Sequence, residues 1–281
     1  MNTVTINPWT IERVSPVDDF SEAIFFTGNG TLGVRGFGAW EGKRSPQAHA
    51  MFRAGLFSEI KPGITDMVQL PDALTLRPLG EEPQIVTQSL DMRTGVLTQC
   101  WETEHATFCM KRTASMADSR LLLQRLTVTA KRAGAFTVEA IASTEVKNLP
   151  IHDDQTITAT EHVQLLKTAI LGENAMHLHT LAEGTPVKIT WKVTNNREAN
   201  RRDYLEKSAA YAVLTTMLAQ GETWTVEKRV RILIHNEVQI PEPADPWEAS
   251  AERCKHCGTI AISKSSQTTK RCRAHCATIY L

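Results

Sequence analysis

Apolar and polar positions alternate along most of this chain with the period of a β-strand, in which successive side chains point to opposite faces. The signal is strongest over residues 84–146. Residues 95–101 and 106–112 alternate or run apolar over strand lengths around Glu102-Thr103-Glu104-His105, as a hairpin does. Residues 121–129 and 135–141 form a second pair joined by Lys131-Arg132-Ala133-Gly134. Residues 155–160, 163–171, 175–181, 187–194, 211–218 and 223–235 continue the theme, with Gly172-Glu173-Asn174, Glu183-Gly184-Thr185 and Gln220-Gly221-Glu222 as turns. Thr, Val, Ile and Trp crowd these runs and no helical pattern alternates with them, so the pattern predicts an antiparallel sandwich rather than a parallel α/β sheet. Residues 198–206 read instead as a short helix or polar loop.

Upstream the punctuation is denser. Residues 8–20 hold Trp9 and the turn signal Pro16-Val17-Asp18-Asp19, and lead a strand toward a glycine-rich segment. Residues 52–76 are broken by Lys61-Pro62-Gly63 and Leu70-Pro71-Asp72, which suits short strands. The glycine-rich segment, residues 24–36, reads in two ways. Gly28, Gly30 and Gly33 spell the G-x-G-x-x-G of a dinucleotide-binding turn. That motif needs a helix next, whereas Gly36 and Gly38 fall where its first turn would be, each costing about 1 kcal/mol relative to Ala. The other reading is a strand and turn whose bare surface lets neighbouring chain pack closely.

Glu22, Phe25, Gly28-Asn29-Gly30, Leu32-Gly33 and Arg35-Gly36 together resemble the N-terminal signature of glycoside hydrolase family 65. Four further stretches follow in the family's order: Ala54-Gly55-Leu56-Phe57, Met67-Val68-Gln69-Leu70-Pro71-Asp72, Leu90-Asp91-Met92-Arg93-Thr94-Gly95-Val96-Leu97 and Arg112-Thr113-Ala114-Ser115-Met116-Ala117-Asp118. The resemblance implies an all-β fold for residues 1–240, a large antiparallel β-sandwich of the supersandwich, galactose-mutarotase-like kind. In the family this domain precedes a helical barrel that carries the chemistry. Members act mostly as phosphorylases that cleave α-glucosides with inversion, a Glu of the barrel serving as acid while phosphate attacks from the opposite face. They tend to form homodimers, and the sandwich mostly buttresses the barrel. By resemblance, then, the partner is carbohydrate, inorganic phosphate enters only in a full-length enzyme, and no cofactor is expected.

Length and composition fit this. A chain of 281 residues with 42% apolar and 22% charged residues can bury a sizeable core, and its length allows one large β domain or two smaller ones. Its 31 basic and 31 acidic residues cancel, giving no electrostatic reason to seek nucleic acid or an anionic membrane. The balance is uneven along the chain: from Arg253 onward there are six Lys/Arg and no Asp/Glu, leaving 25 basic against 31 acidic residues over 1–252. The N-terminal residues lack a basic and then apolar leader pattern, and no run nears the roughly 20 apolar residues of a membrane span, so a cytoplasmic location is expected.

Pro241-Glu242-Pro243-Ala244-Asp245-Pro246 reads as a semi-rigid linker, and Trp247-Glu248-Ala249-Ser250-Ala251-Glu252 starts a helical pattern. The expected divisions are therefore 1–240, a linker and helix start over 241–254, and an irregular or partly helical basic tail over 255–281. In that tail Cys254-x-x-Cys257 and Cys272-x-x-x-Cys276, with His256 and His275, approach a zinc-ribbon spacing, although the second clip is one residue too long. The favoured reading is a frameshift: a one-base shift from Lys255 admits codons that restore an apolar period and acidic residues resembling the family's linker-to-barrel helix. The chain would then be truncated before the barrel.

Candidate chemistry is sparse. Asp18-Asp19 and Asp153-Asp154 sit in expected turns and read as solvated or capping residues, so no catalytic, cofactor-binding or metal residue is assigned. His177 and His179 would share a strand face but lack a third ligand. Trp40, Trp101, Trp191 and Trp224 read as core rather than sugar-stacking residues, and Cys100 and Cys109 as reduced and buried. The expected function is a non-catalytic N-terminal domain of an α-glucoside phosphorylase or hydrolase, inactive alone. The alternatives are a stand-alone carbohydrate-binding or assembly module, and a protein with a zinc-binding tail.

Overall fold

The computed structural model describes residues 9–15, 19–38, 49–80, 85–148, 164–235 and 237–263. Their elements run β1 (Thr10–Ser15), α1 (Asp19–Ile24), β2 (Thr27–Gly28), β3 (Leu32–Val34), β4 (Met51–Lys61), β5 (Ile64–Leu70), β6 (Leu76–Pro78), β7 (Val86–Asp91), β8 (Val96–Glu102) and β9 (Ala106–Ala114). There follow β10 (Leu121–Ala130), β11 (Gly134–Ser143), β12 (Leu166–Leu171), β13 (Ala175–Thr180), β14 (Pro186–Asn195), β15 (Asn200–Leu205), β16 (Ala209–Leu218), β17 (Thr223–Ile234) and α2 (Pro246–Ser263).

The strands form a nine-stranded sheet, β1-β7-β8-β9-β10-β17-β14-β13-β12, and two four-stranded sheets, β15-β16-β11-β6 and β2-β3-β4-β5, with antiparallel pairing throughout. Period-two patterning explains the layering. Along β14, Val187, Ile189, Trp191 and Val193 point inward while Lys188, Thr190, Lys192 and Thr194 point outward. The inward residues of all three sheets meet in one cluster that includes Met110, Leu126, Trp224 and Ile189 from the large sheet, Val138 and Leu214 from the second, and Val34, Leu56 and Val68 from the third. Each such side chain contributes roughly 1.5–3 kcal/mol by leaving water.

Three expectations need correction. Residues 198–206 are not a helix or loop, because β15 pairs with β16 from Asn200↔Thr215 to Leu205↔Ala210. As an edge strand with solvated faces β15 carries mostly polar side chains, which hid it from a search for apolar alternation. Cys100 and Cys109 are bonded to each other and half-buried, because the β8–β9 register sets them directly opposite with Cα atoms 4.2 Å apart. Finally, β1 leads not straight into the glycine segment but into the short helix α1, which starts at Asp19. Among the expected strands, 155–160 lies outside the described residues, as do Trp40, Asp18 and the Asp153-Asp154 pair.

Candidate functional site

The glycine segment is built into the sandwich. At its turn, Asn29 Oδ1 accepts the backbone N–H groups of Thr31 (3.0 Å) and Leu32 (2.8 Å), and Asn29 Nδ2 donates to the carbonyls of Ser115 (2.8 Å) and Ser119 (3.3 Å). A Cβ on Gly33 would lie 2.3 Å from the tip of the Phe26 ring, and one on Gly36 would lie 2.5 Å from Phe25 Cβ and 2.6 Å from its carbonyl oxygen. These glycines are required by close packing, and β3 rather than a helix occupies Leu32–Val34, so the dinucleotide reading fails on geometry.

Immediately downstream, Phe37 is the centre of a buried polar corner. The His49 imidazole stacks on its ring with centroids 3.9 Å apart, and the Arg112 guanidinium carbon lies 3.8 Å from the same centroid. Two groups that close cannot share one face, so the ring is clamped between them. Arg112 is spent on structure: Nε donates to Gln124 Oε1 (2.7 Å), and Nη1 to the carbonyls of Arg35 (3.1 Å) and Phe37 (3.4 Å). Gln124 Nε2 in turn donates to Leu74 O (3.0 Å).

Asp72 balances the cations. Its Oδ2 sits 2.8 Å from His49 Nδ1 and accepts the Thr75 hydroxyl, while Oδ1 accepts the N–H groups of Leu74 (2.8 Å) and Thr75 (3.1 Å). Across the core, Lys228 Nζ on β17 donates to Ile141 O (2.6 Å) and Thr75 O (3.2 Å), tying the large sheet to the second one. Burial pushes the Asp72 carboxyl up, but His49, Thr75 and Lys228 together hold it well below the usual carboxylate range. Burial drives the Lys228 amine down to about 7 against the pull of Asp72, and Arg112 to about 10 against Asp72 and Glu22. Glu22 itself is buried and lies 3.5 Å from Arg35 Nε.

The Asp72–His49 pair has the outline of a base held by a carboxylate, and His49 carries the left-handed backbone angle (φ 63°) of a strained position. His49, Asp72, Arg112 and Lys228 are nevertheless all buried, with Lys228 at 0% exposure, so no substrate reaches them in this conformation. What the corner does is hold backbone: side chains from within the large sheet's strands and Asp72 bind the chain after β3 and before β6.

A second network, built on the opposite face of the large sheet, reaches the C-terminal helix. Ser115 Oγ accepts the N–H groups of Ala117 (3.3 Å) and Asp118 (3.2 Å), Asp118 Oδ2 accepts Arg231 Nη1 (2.6 Å), and Arg231 forms a further ion pair with Glu242 of the linker (3.2 Å). Asp245 caps α2 by accepting the N–H groups of Trp247 (2.9 Å) and Glu248 (3.1 Å). The Trp247 indole donates to Glu227 (2.9 Å) beneath the Arg125 guanidinium, Ser250 Oγ accepts Met116 N (3.0 Å), and Cys254 Sγ donates to Thr94 O (3.6 Å). Pro246, Ser250 and Cys254 thus lie one turn apart along the packed side of α2. The signature and its downstream stretches are divided between the two networks: Ala54 N donates to Thr31 O (2.8 Å) and Asn29 to Ser115 O, Asp72 and Arg112 belong to the corner, and Thr94 and Met116 meet α2.

Other expected residues fall elsewhere. His177 and His179 do share the outward face of β13, but their cross-strand neighbours on that face are Lys188 and Lys167, which disfavour a cation. Among the described residues no group of three His, Cys, Asp or Glu is placed to hold a metal. Trp101, Trp191 and Trp224 are buried core residues. Cys254 lies in α2, the Cys257 side chain is not described, and Cys272 and Cys276 lie outside the described residues. One cleft of about 150 Å³, lined by Leu79, His105, Phe108, Arg132 and Phe136, is small beside the roughly 300–1,000 Å³ of ligand pockets. No described helix is long and apolar enough to cross a membrane.

The corner residues themselves were missed by sequence reasoning, although a signal existed. Lys228 occupies the inward phase Trp224, Val226, Val230, Ile232; Gln124 that of Leu122 and Leu126; Arg112 that of Phe108 and Met110. A polar residue at an inward position of a strand marks a buried network.

The model of a family described as glycosyl hydrolase family 65, N-terminal domain, matches residues 17–268. A solved structure from the human microbiome, assigned as a kojibiose phosphorylase, superposes with a TM-score of 0.61 at 14% identity, covering 97% of this chain. This chain spans 38% of that protein's length. A galactose mutarotase related enzyme from Lactobacillus acidophilus (TM-score 0.31, 10% identity, 76% of this chain and 99% of that one) is a weaker likeness. So is a heparan sulfate lyase from Pedobacter heparinus (TM-score 0.30, 10% identity, 77% and 37%). No curated protein matches.

Proposed function

Since the chain belongs to glycosyl hydrolase family 65 through that family's N-terminal domain, we propose that it is the non-catalytic sandwich of an α-glucoside phosphorylase or hydrolase and shows no turnover alone. The observation that carries this reading is the corner. Its ionisable groups are buried and spent on backbone, while on the opposite face of the same sheet Arg231 and Glu227 hold Glu242 of the linker and Trp247 of α2. Those linker and helix contacts fix the direction in which the chain leaves a rigidly held sandwich, which is what a domain that supports a following barrel requires. In this reading phosphate and the α-glucoside are bound by the barrel, its Glu supplies the acid, and the assembled enzyme is a cytoplasmic homodimer. In this reading the sandwich ends near residue 240, and the linker and α2 follow it.

The test is incubation of the chain with maltose, trehalose or kojibiose and inorganic phosphate, followed by assay for glucose 1-phosphate. No product is expected. Product formation at any steady rate, absent in a heat-denatured control, overturns the reading.

A further inference from the structure

The outward face of the sheet β15-β16-β11-β6 carries a set of side chains that the buried corner does not use. Register places Tyr204 opposite Tyr211, and Tyr211 opposite Ile141; the next row is Arg202, Val213, Glu139 and Arg77; the third is Asn200, Thr215 and Thr137. Directly opposed residues point to one side of a sheet, so these rows form one face. The two phenol rings are parallel to within 5° with centroids 4.7 Å apart, stacked across the strand pair, and both are half-exposed. Tyr211 covers one face of the Tyr204 ring and the exposed Arg202 guanidinium lies over the ring 5.3 Å from its centroid, on the edge strand β15.

The polar groups around the rings are held in place. Arg77 donates two N–H groups to Glu139 Oε2 (2.9 and 2.7 Å), Thr137 and Thr215 hydroxyls lie 3.0 Å apart, and Tyr211 hydrogen-bonds Glu206. Burial, with Glu139 and Glu206 nearby, raises both phenols, so they stay protonated and able to donate at neutral pH. Two guanidinium groups and two carboxylates leave the face without net charge, which suits neither an anionic nor a cationic ligand. An electron-rich ring face beside fixed hydroxyl, carboxylate and guanidinium groups matches a ring that is apolar on its C–H side and hydroxylated at its rim.

From these rows we propose that this sheet face binds a neutral oligosaccharide, one pyranose ring lying at Tyr204 and Arg202 with its hydroxyls on Arg202 and Tyr211. It rests on the family reading only for the sugar class. The alternative is that the tyrosines are a cross-strand pair stabilising the sheet, a contribution of the usual size for such pairs.

Calorimetric titration of the full chain with maltoheptaose, paired with line broadening of the sugar's NMR signals, decides between them. Saturable binding is expected, weakened about tenfold or more in Tyr204→Ala and in Arg202→Ala. Arg202 is exposed, so its variant keeps the test open should Tyr204→Ala fold poorly. His177→Ala, on the other sheet, should bind as the parent does. Absence of saturable binding overturns the proposal, as does unchanged affinity in both face variants or tighter binding of an anionic heparin oligosaccharide. Turnover of maltose would defeat the non-catalytic reading and leave this one standing.

Discussion

Replacing Asp72 by Asn keeps the side chain's shape but removes the negative charge of the buried corner. The Asn carbonyl can still accept the Leu74 and Thr75 amides, whereas its NH2 group meets the Thr75 hydroxyl and His49 Nδ1 in place of an acceptor. Arg112 and Lys228, both fully buried and both supported by Asp72, lose their counter-charge. Breaking a buried charge set by removing one partner costs roughly 3–5 kcal/mol. Against a total stability of about 5–15 kcal/mol this is a large fraction. With a urea m-value of about 3 kcal/mol/M for a chain of this size, the midpoint should fall by about 1 M or more.

The loss should also depend on pH in a stated direction. Lys228 titrates near 7 in the folded protein, so at pH 9 it is mostly neutral and needs Asp72 less than at pH 6. The substitution should therefore be more damaging at pH 6 than at pH 9. Urea titrations of parent, Asp72→Asn, Lys228→Met and the double variant measure both the loss and the coupling, expected at about 1 kcal/mol or more for groups that share Thr75 in one buried network. A midpoint shift below roughly 0.3 M at pH 6, about 1 kcal/mol on the same m-value, would refute the account of the corner as an electrostatic unit.

Further outcomes follow from other contacts. Lys228 has a folded pKa below its unfolded value of about 10.4, so the unfolded chain binds more protons between about pH 7 and 10. Stability should rise with pH across that window, by at most about 1.4 kcal/mol per unit from this group, and the rise should vanish in Lys228→Met. Gly36→Ala should lower stability by about 1–3 kcal/mol, read from the urea midpoint, because its Cβ would meet the Phe25 backbone; an unchanged midpoint contradicts the packing argument. Trp247→Ala removes the indole contact to Glu227 and the surface under Arg125, so hydrogen exchange over α2 should quicken while the strands stay protected. Alkylation of the denatured chain without reductant should leave Cys100 and Cys109 unmodified, and mass spectrometry showing both labelled would remove the bond between them.

Much of the fold was legible because burial imposes a period. Strands such as β14 and β17, with one face in the core, declare themselves by alternation, and the glycine segment declared its packing by lacking room for a helix. β15 was not legible because an edge strand with two solvated faces imposes no such pattern. The Cys100–Cys109 bond depends on the register of two strands, which alternation alone does not set. The corner was half legible: Asp72 and Arg112 lay inside recognised stretches, but that His49 and Arg112 grip Phe37 from opposite sides is a fact of tertiary packing.

The strand order of the large sheet carries a consequence for how the chain acquires its fold. β17, late in the sequence, lies between β10 and β14, so Leu121 must wait for Arg231 and Val187 for Ile234. During synthesis the sheet therefore exists as two half-sheets, each with a bare hydrogen-bonding edge beside an apolar face. Pairings this distant in sequence close slowly, and open edges recruit other chains meanwhile. The arrival of β17 joins the halves and, by placing Lys228 under Thr75 and Ile141, fastens the second sheet in the same event. Refolding should accordingly be a late, cooperative step whose yield falls as chain concentration rises, with a nascent chain ending before residue 223 held in a sticky, half-formed state.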